Sequence, residues 1–154
     1  MSVALVPKRW FSWDYNVMNG DRTLARLDLS RWRERAEITI GDVTHRVFRE
    51  RAMGGDFILE AAGRELARAT KPSPLRHTFV VHYKGTDYTL RKPSIWRRGF
   101  VLMDGERQIG AITPERAWTR RATAELPSDW PTPITAFVIW LVIILWKRDA
   151  NAAA

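Results

Sequence analysis

The sequence contains no cysteine. Disulfide bonds, zinc sites with thiolate ligands and catalysis by a cysteine nucleophile are therefore excluded. None of its six serines lies in a G-x-S-x-G nucleophile elbow, and the sequence has neither a P-loop nor a G-x-G-x-x-G motif. A calcium loop of the D-x-[DN]-x-[DN]-G type is also missing. These absences point away from the common enzyme classes, so we expect a protein without enzymatic activity and without a cofactor.

Histidine is scarce as well, with only His45, His77 and His82 in the chain. His77 and His82 are five residues apart on a predicted strand, which places them on opposite faces. We therefore expect no metal site.

The composition is that of one globular domain, with 154 residues of which 45% are hydrophobic and 27% charged. Lys and Arg outnumber Asp and Glu by 25 to 17, a net charge of +8. This excess favours polyanions such as nucleic acid or anionic lipid headgroups, although a bias toward arginine codons explains it equally well. The apolar run before Trp10 is too short for a signal peptide, so we expect a cytoplasmic monomer.

The longest apolar segment runs from Ile134 to Trp146 without a charge. As a helix it has no polar face, so it must be surrounded by a lipid bilayer or by a protein core. From Pro133 to Lys147 it spans roughly 22 Å, short of a hydrocarbon core of about 30 Å. Trp130, Trp146 and the basic pair after Trp146 are typical of interfacial anchors, which keeps a tail-anchored membrane protein as an alternative.

The same run is rich in β-branched residues, which favour strands, but thirteen residues is long for a strand. Asp129 or Thr132 is a suitable N-cap, and Lys147-Arg148 suits the negative end of a helix. We predict a helix over residues 131–147 and a disordered tail over residues 149–154.

Turn signals at short intervals predict β structure from about residue 10 to residue 127. Asn19-Gly20 and Asp104-Gly105 predict hairpin turns in which both central residues have positive φ. Gly41-Asp42 lies between two segments in which apolar residues alternate, as they do in half-buried strands. Ala62-Gly63 and Lys84-Gly85 separate further apolar runs.

These turns are periodic. Gly20, Gly63 and Gly105 are separated by 43 and 42 residues, and a large aliphatic residue followed by a small one recurs after each. The pairs are Leu24-Ala25, Leu66-Ala67 and Ile109-Gly110. Such a spacing indicates repeated β units, and three four-stranded units predict one closed antiparallel β-barrel of about twelve strands within a single domain, residues 1–148.

A barrel of that size is too wide for its own side chains to fill. We therefore predict that the apolar helix lies along the barrel centre, with Phe137, Trp140, Leu141 and Ile144 in the core. The small residues are then predicted where strands pass closest to the helix, namely at Ala25, Ala67 and Gly110.

Three hairpin units followed by a terminal apolar helix resemble the tubby C-terminal-like superfamily, which includes tubby, the phospholipid scramblases and the LURP-one-related proteins. The resemblance rests on the segments 19–25, 62–67 and 104–112 and on the helix from Pro131 to Trp146. It implies a twelve-stranded barrel threaded by that helix, in a small bacterial type of member. It implies phosphoinositide or other lipid contact only generally, because no pocket residue of that superfamily can be matched here.

The best candidate for ligand binding is the segment from Arg91 to Phe100, which interrupts two strand signals. Its candidate binding residues are Arg91, Lys92, Trp96, Arg97 and Arg98. Cations around aromatic rings suit phosphate groups at a membrane surface or stacked nucleic-acid bases. A solvated loop with Trp96 and Phe100 tucked into the barrel end is the simpler interpretation.

Two weaker basic patches lie at Arg31 to Arg35 and at Arg116 to Arg121. From these patterns we expect a binding protein for anionic phospholipid or phosphorylated ligands, cytoplasmic or peripheral at the inner membrane face. The alternatives are the tail-anchored membrane protein and a nucleic-acid-binding barrel.

Overall fold

The computed structural model describes residues 1–52, 54–116 and 119–154. The described chain forms twelve strands and one helix, which are β1 (Ser2–Pro7), β2 (Tyr15–Asn19), β3 (Arg22–Leu29), β4 (Arg35–Ile40), β5 (Val43–Arg49), β6 (Phe57–Ala61), β7 (Arg64–Thr70), β8 (Thr78–Tyr83), β9 (Thr86–Arg91), β10 (Phe100–Asp104), β11 (Arg107–Pro114), β12 (Ala122–Glu125) and α1 (Thr132–Ala152).

The strands form a closed antiparallel barrel in chain order. Each strand pairs with the one before it and the one after it, and β1 pairs with both β2 and β12 to complete the ring. The predicted twelve-stranded closed barrel is thus confirmed. Closure pairs every strand on both sides, so no edge is left open to another chain.

The strand that closes the barrel, β1, lies before residue 10. The predicted β region began only at about residue 10. Val3 and Leu5 are buried, and the residues between and beside them are not, which is the alternation of a half-buried strand. The predicted start of the β region was therefore wrong. The segment alternates as a strand does, but it is short and ends at Pro7. Its structural role is to close the barrel by pairing with both β2 and β12.

The apolar run lies inside the barrel. All thirteen residues from Ile134 to Trp146 are buried, and all of them except Thr135 share one core cluster with inward-facing residues of the strands. The Trp140 ring meets the Phe57 ring of β6 edge to face at 5.9 Å and stacks on Phe137 at 6.1 Å. A helix buried on every side needs a wall all round it, and the barrel provides that wall.

Among the described residues, no helix combines the length and the hydropathy that a membrane crossing requires.

Both ends of α1 differ from the prediction. The N-cap is Pro131, with no side-chain capping bond, so neither Asp129 nor Thr132 caps the helix. The helix continues to Ala152, where a disordered tail was predicted, because alanine is the best helix former and the Asp149 carboxylate finds partners on neighbouring loops.

The two hairpin turns at Gly20 and Gly105 are real, but their type differs from the prediction. The turn residues are 20–21 and 105–106, and φ is +59° at each glycine while Asn19 and Asp104 lie on the strands. Glycine at the first central position is typical of a type II′ turn, which requires positive φ only there.

The three aliphatic-small pairs of the sequence are β-bulges. Leu24, Leu66 and Ile109 are each the extra, unpaired residue where the hairpin register shifts. The small residue after each bulge is directed inward, since Ala25, Ala67 and Gly110 are buried. The repetition of whole four-stranded units stays a prediction, but these three hairpins share one register shift.

Gly110 lies where another segment of the barrel wall passes closely. A Cβ built at Gly110 would lie 2.6 Å from the Glu125 carbonyl oxygen and 3.1 Å from Leu126 Cδ2, and none of its three nearest atoms belongs to α1. Gly110 therefore allows a close approach of the end of β12 and of Leu126, and its placement beside the helix stays a prediction.

Candidate functional site

The barrel has two different ends, because successive antiparallel strands reverse direction. The turn end holds the five two-residue hairpin turns and the segment leading into α1, at 20–21, 41–42, 62–63, 84–85, 105–106 and 126–131. The loop end holds the six longer connections, at 8–14, 30–34, 50–56, 71–77, 92–99 and 115–121, together with the last turns of α1.

The charge of the protein is divided between these ends. The six connections of the loop end contain thirteen Lys and Arg against five Asp and Glu, a net charge of +8, which equals that of the whole chain. The turn-end segments contain one Lys against four Asp and Glu, a net charge of −3. The barrel is therefore electrostatically polar along its axis.

Exposed apolar side chains are gathered at the loop end too. Six of the eight exposed large apolar residues in the described chain lie there, namely Trp10 (87% exposed), Phe11 (59%), Trp32 (88%), Leu75 (89%), Ile95 (82%) and Trp96 (89%). They come from four different connections, 8–14, 30–34, 71–77 and 92–99. A patch of this kind on a folded protein marks an interaction surface.

The predicted binding segment, 91–100, belongs to this end but contributes unequally. Trp96 is exposed, whereas Phe100 is buried at the start of β10, so only one of the two rings is tucked into the barrel. Lys92 is largely buried and lies 3.9 Å from the Asp149 carboxylate. Arg98 is half-buried with its guanidinium 5.2 Å from the centre of the Trp146 ring.

Arg91 and Arg97 are exposed, and so are Arg31 and Arg33 in the neighbouring patch. Within the described part of the chain, the guanidinium groups of Arg31, Arg33, Arg76 and Arg97 pair with no carboxylate. The structure thus brings the predicted 91–98 and 31–35 patches to one end of the barrel. Arg116 to Arg121 reaches the same end, although residues 117 and 118 lie outside the described chain.

The last turns of α1 hold the loops of this end in place. Trp146 Nε1 donates to the Arg98 carbonyl at 2.9 Å, and Lys147 Nζ donates to the carbonyls of Ser30 at 2.8 Å and Arg31 at 3.3 Å. Because these groups lie on the rigid core helix, the loops they contact are fixed relative to the barrel.

Two further residues of α1, Arg148 and Asp149, also contact loops of this end. Arg148 binds the Glu34 carboxylate, which also pairs with Arg49 at 3.3 Å. Asp149 accepts from His77 Nε2 at 3.0 Å, which attaches the connection 71–77 to the helix. The residues that the sequence analysis assigned to a capped end and a disordered tail thus link loops to the core.

Arg120 fixes the connection that carries Trp10 and Phe11. Its guanidinium donates to the carbonyls of Arg9 at 2.7 Å, of Trp10 at 2.5 Å and of Ser12, and it lies 5.0 Å from the centre of the Trp13 ring. The exposed rings are therefore presented by a backbone that is already ordered.

Two of the three histidines form side-chain contacts that are separate from each other. His77 bonds to Asp149, while His82 Nδ1 lies 2.6 Å from Asp87 Oδ1 and His82 Nε2 lies 2.5 Å from Thr70 Oγ1. Thr70, His82 and Asp87 are arranged in the order of a nucleophile, a base and an acid. This group lies on the outer wall of the barrel, where the strand amides are hydrogen-bonded within the sheet, so these amides supply no oxyanion hole. In the described chain no cluster of three or more potential ligands surrounds a metal position.

Comparison with known proteins gives no relative: no protein-family model, no curated protein and no solved structure matches the chain. The resemblance to the tubby C-terminal-like superfamily therefore stays a prediction.

Several residues of the loop end were missed by the sequence analysis. Trp10 and Phe11 lie in one connection and Leu75 lies in another, and only the folding of the barrel brings them to the same end as Trp96. A signal existed in the recurrence of large apolar residues beside Lys or Arg in non-strand segments. Arg120 left no such signal, since its role depends on carbonyl groups more than a hundred residues away.

Proposed function

We propose that this protein is a non-enzymatic module that docks on an anionic phospholipid surface through its loop end, with the barrel standing end-on. The observation that carries the proposal is the concentration of six exposed apolar side chains and a net charge of +8 at one end of the barrel. Interfacial tryptophans and cations near lipid headgroups are the pair of features that peripheral membrane binding uses.

The expected energies are adequate for reversible binding. Each Lys or Arg close to an anionic leaflet contributes about 1 kcal/mol. Four loop arginines without a carboxylate partner thus supply about 4 kcal/mol, or a dissociation constant near the millimolar range, before any ring is inserted. Insertion of Trp32 and Trp96 adds an apolar contribution that salt does not screen, so binding is expected to weaken with salt without vanishing.

Ordered loops favour this binding further. The side chains of Arg120, Trp146 and Lys147 already hold three of the connections through backbone carbonyls. Since little backbone is ordered on docking, little conformational entropy is lost.

Lipid is favoured over nucleic acid by the aliphatic members of the patch. Leu75 and Ile95 are almost fully exposed, and neither can stack on a base or hydrogen-bond to one. In contact with acyl chains, by contrast, both lose unfavourable apolar contact with water.

We also propose that the chain shares the tubby-like architecture. Its support is the closed twelve-stranded barrel around a buried C-terminal helix, which is the fold that the resemblance implies.

The test is flotation with vesicles of phosphatidylglycerol and phosphatidylcholine, compared with phosphatidylcholine alone. The double variant Arg31→Glu, Arg97→Glu is expected to weaken binding to the anionic vesicles by about tenfold or more, since two attractive charges near the leaflet become repulsive. The matched control is Arg22→Glu, Arg64→Glu, which carries the same net charge but places both changes at the turn end.

Equal loss of binding in the two double variants would show that net charge alone is responsible and would contradict docking through the loop end. Absence of flotation for the unmodified protein, combined with salt-dependent binding to single-stranded DNA, would replace the proposal with nucleic-acid binding.

A further inference from the structure

A cavity of about 580 Å³ opens at the loop end between the first two long connections and the end of α1. Its wall includes residues of the segments 9–14 and 29–32 and, from the helix, Lys147 and Asn151. Cavities of roughly 300–1,000 Å³ hold small organic ligands, so this one is larger than an inorganic ion requires.

The charges around the cavity are mostly positive. Arg9, Arg31 and Lys147 line it, against the single carboxylate of Asp14. The Asp14 carboxylate already accepts the Leu29 amide at 2.8 Å. In the described chain neither arginine forms an ion pair, and the Arg9 guanidinium has only the Phe11 ring, 5.8 Å away.

Lys147 carries a partly buried ammonium group that forms no ion pair among the described residues. Its two hydrogen bonds go to the neutral carbonyls of Ser30 and Arg31. Burial lowers the pKa of Lys147, and the charges of Asp14 and Glu34 oppose that shift only in part. A bound anion would stabilise the charged form of this group.

The remaining wall is aromatic. Phe11, Trp13 and Trp32 line the cavity, and Trp13 also packs against the barrel core, which makes it a fixed surface. A combination of guanidinium, ammonium and aromatic walls matches an anion that carries an organic substituent.

We propose that this loop-end cavity binds the phosphate of one phospholipid headgroup, with Arg31 and Lys147 contacting the phosphate oxygens and Trp13 and Trp32 contacting the organic part. The inference deepens the proposed function and rests on it for the source of the ligand. A docked barrel turns the mouth of the cavity toward the headgroup layer, so a lipid can enter without leaving the bilayer.

The test is calorimetric titration of the full chain with dihexanoyl phosphatidylglycerol below its micelle concentration, with glycerol 3-phosphate and with inorganic phosphate. The short-chain lipid is expected to bind most tightly. Arg31→Gln is expected to weaken its binding about tenfold, because a charge-assisted contact is lost. Arg22→Gln, at the turn end, serves as the matched control and should bind like the unmodified protein.

Trp32→Ala tests the aromatic wall of the cavity separately from its cationic groups. It should weaken binding of the short-chain lipid and leave binding of inorganic phosphate unchanged. Equal binding by Arg31→Gln and Arg22→Gln would overturn the site. Inorganic phosphate binding as tightly as the lipid would overturn the headgroup assignment.

The two proposals fail separately. Flotation on anionic vesicles without calorimetric binding would overturn the cavity and leave surface docking intact. Calorimetric binding of glycerol 3-phosphate without flotation would uphold the cavity as a phosphate-ester site and overturn its membrane source.

Discussion

Tyr15 is the residue through which the barrel wall supports the loop end. Its ring is completely buried, and its hydroxyl donates to the Arg120 carbonyl at 2.7 Å. The Arg120 guanidinium in turn binds the carbonyls of the connection that carries Trp10. One phenol is therefore connected, through one arginine, to the exposed ring at the tip.

The burial of Tyr15 predicts a defined loss of stability in alkali. Burial raises the pKa of Tyr15 to about 12 from its ordinary value of 10, with Arg120 and Arg98 opposing the shift. Below pH 10 the phenol is neutral in both folded and unfolded chains, so its contribution is fully present. It is lost as the pH rises from 10 to 12, because only the unfolded chain then ionises, and the loss is on the order of 2 kcal/mol.

Denaturant unfolding of the wild type and Tyr15→Phe between pH 7 and pH 12 measures this effect. Near neutrality the variant should be less stable by about 1 kcal/mol, owing to the lost hydrogen bond. Above pH 11 the order should reverse. If the free energies of unfolding of the two proteins kept the same difference from pH 7 to pH 12, the predicted contribution of Tyr15 would be contradicted.

Individual residues also show how far sequence could locate the site. Trp96 and Arg97 were predicted to be ligand-binding residues at the surface, and both are exposed. Lys92, assigned the same role, is instead turned toward Asp149. The local pattern identified a basic aromatic loop, but which side chains turn outward depends on a helix end that is distant in sequence.

At the scale of elements, the bulged hairpins shape the barrel wall. The β2-β3, β6-β7 and β10-β11 hairpins each carry one extra residue before a small inward-facing one. A bulge increases local twist and bends the strand, which helps a sheet to close. The sequence predicted the small positions from their spacing, but not that bulges precede them.

Among the three small inward-facing residues, Gly110 is the one at which a larger side chain should be tolerated least. A methyl group there would meet the Glu125 carbonyl oxygen at 2.6 Å, so backbone must move. Gly110→Ala is expected to lower the free energy of unfolding by about 1–3 kcal/mol. Urea denaturation measures this change.

Ala67→Gly changes the equivalent position in the opposite direction, and should cost about 1–2 kcal/mol through backbone entropy and the loss of one buried methyl group, without any backbone displacement. A Gly110→Ala variant as stable as the wild type would contradict this packing limit, because it would show that the end of β12 shifts without loss of stability.

At the scale of the whole molecule, the helix and the barrel depend on each other. Thirteen consecutive buried residues of α1 fill a space that the strands alone would leave open. The same helix then emerges at the loop end, where Trp146, Lys147 and Asp149 hold three different connections. Core and candidate site therefore share one element.

This dependence predicts that a charge in the helix centre destroys the fold. Val142→Asp is expected to cost more than about 4 kcal/mol, because Val142 is completely buried and the core cluster of the described residues contains no cation to pair with a carboxylate. With total stabilities of about 5–15 kcal/mol, the variant should be largely unfolded by circular dichroism and near-ultraviolet spectra.

Val43→Asp makes the same substitution on an exposed strand residue and is expected to leave the fold intact. A cooperatively folded Val142→Asp protein would contradict the placement of the helix in the barrel.

Local sequence patterns were enough to predict the closed barrel, its approximate number of strands and the need for a central helix. The alternation of apolar residues, the turn residues and the apolar run without a polar face are local signals. They can be recognised without knowledge of contacts between distant segments. The tertiary structure alone decided which residues share the loop end, which cations stay unpaired and where the helix ends. Those outcomes depend on contacts between segments more than a hundred residues apart, such as Arg120 with Arg9 or Lys147 with Ser30, and closure of the ring brings such segments together.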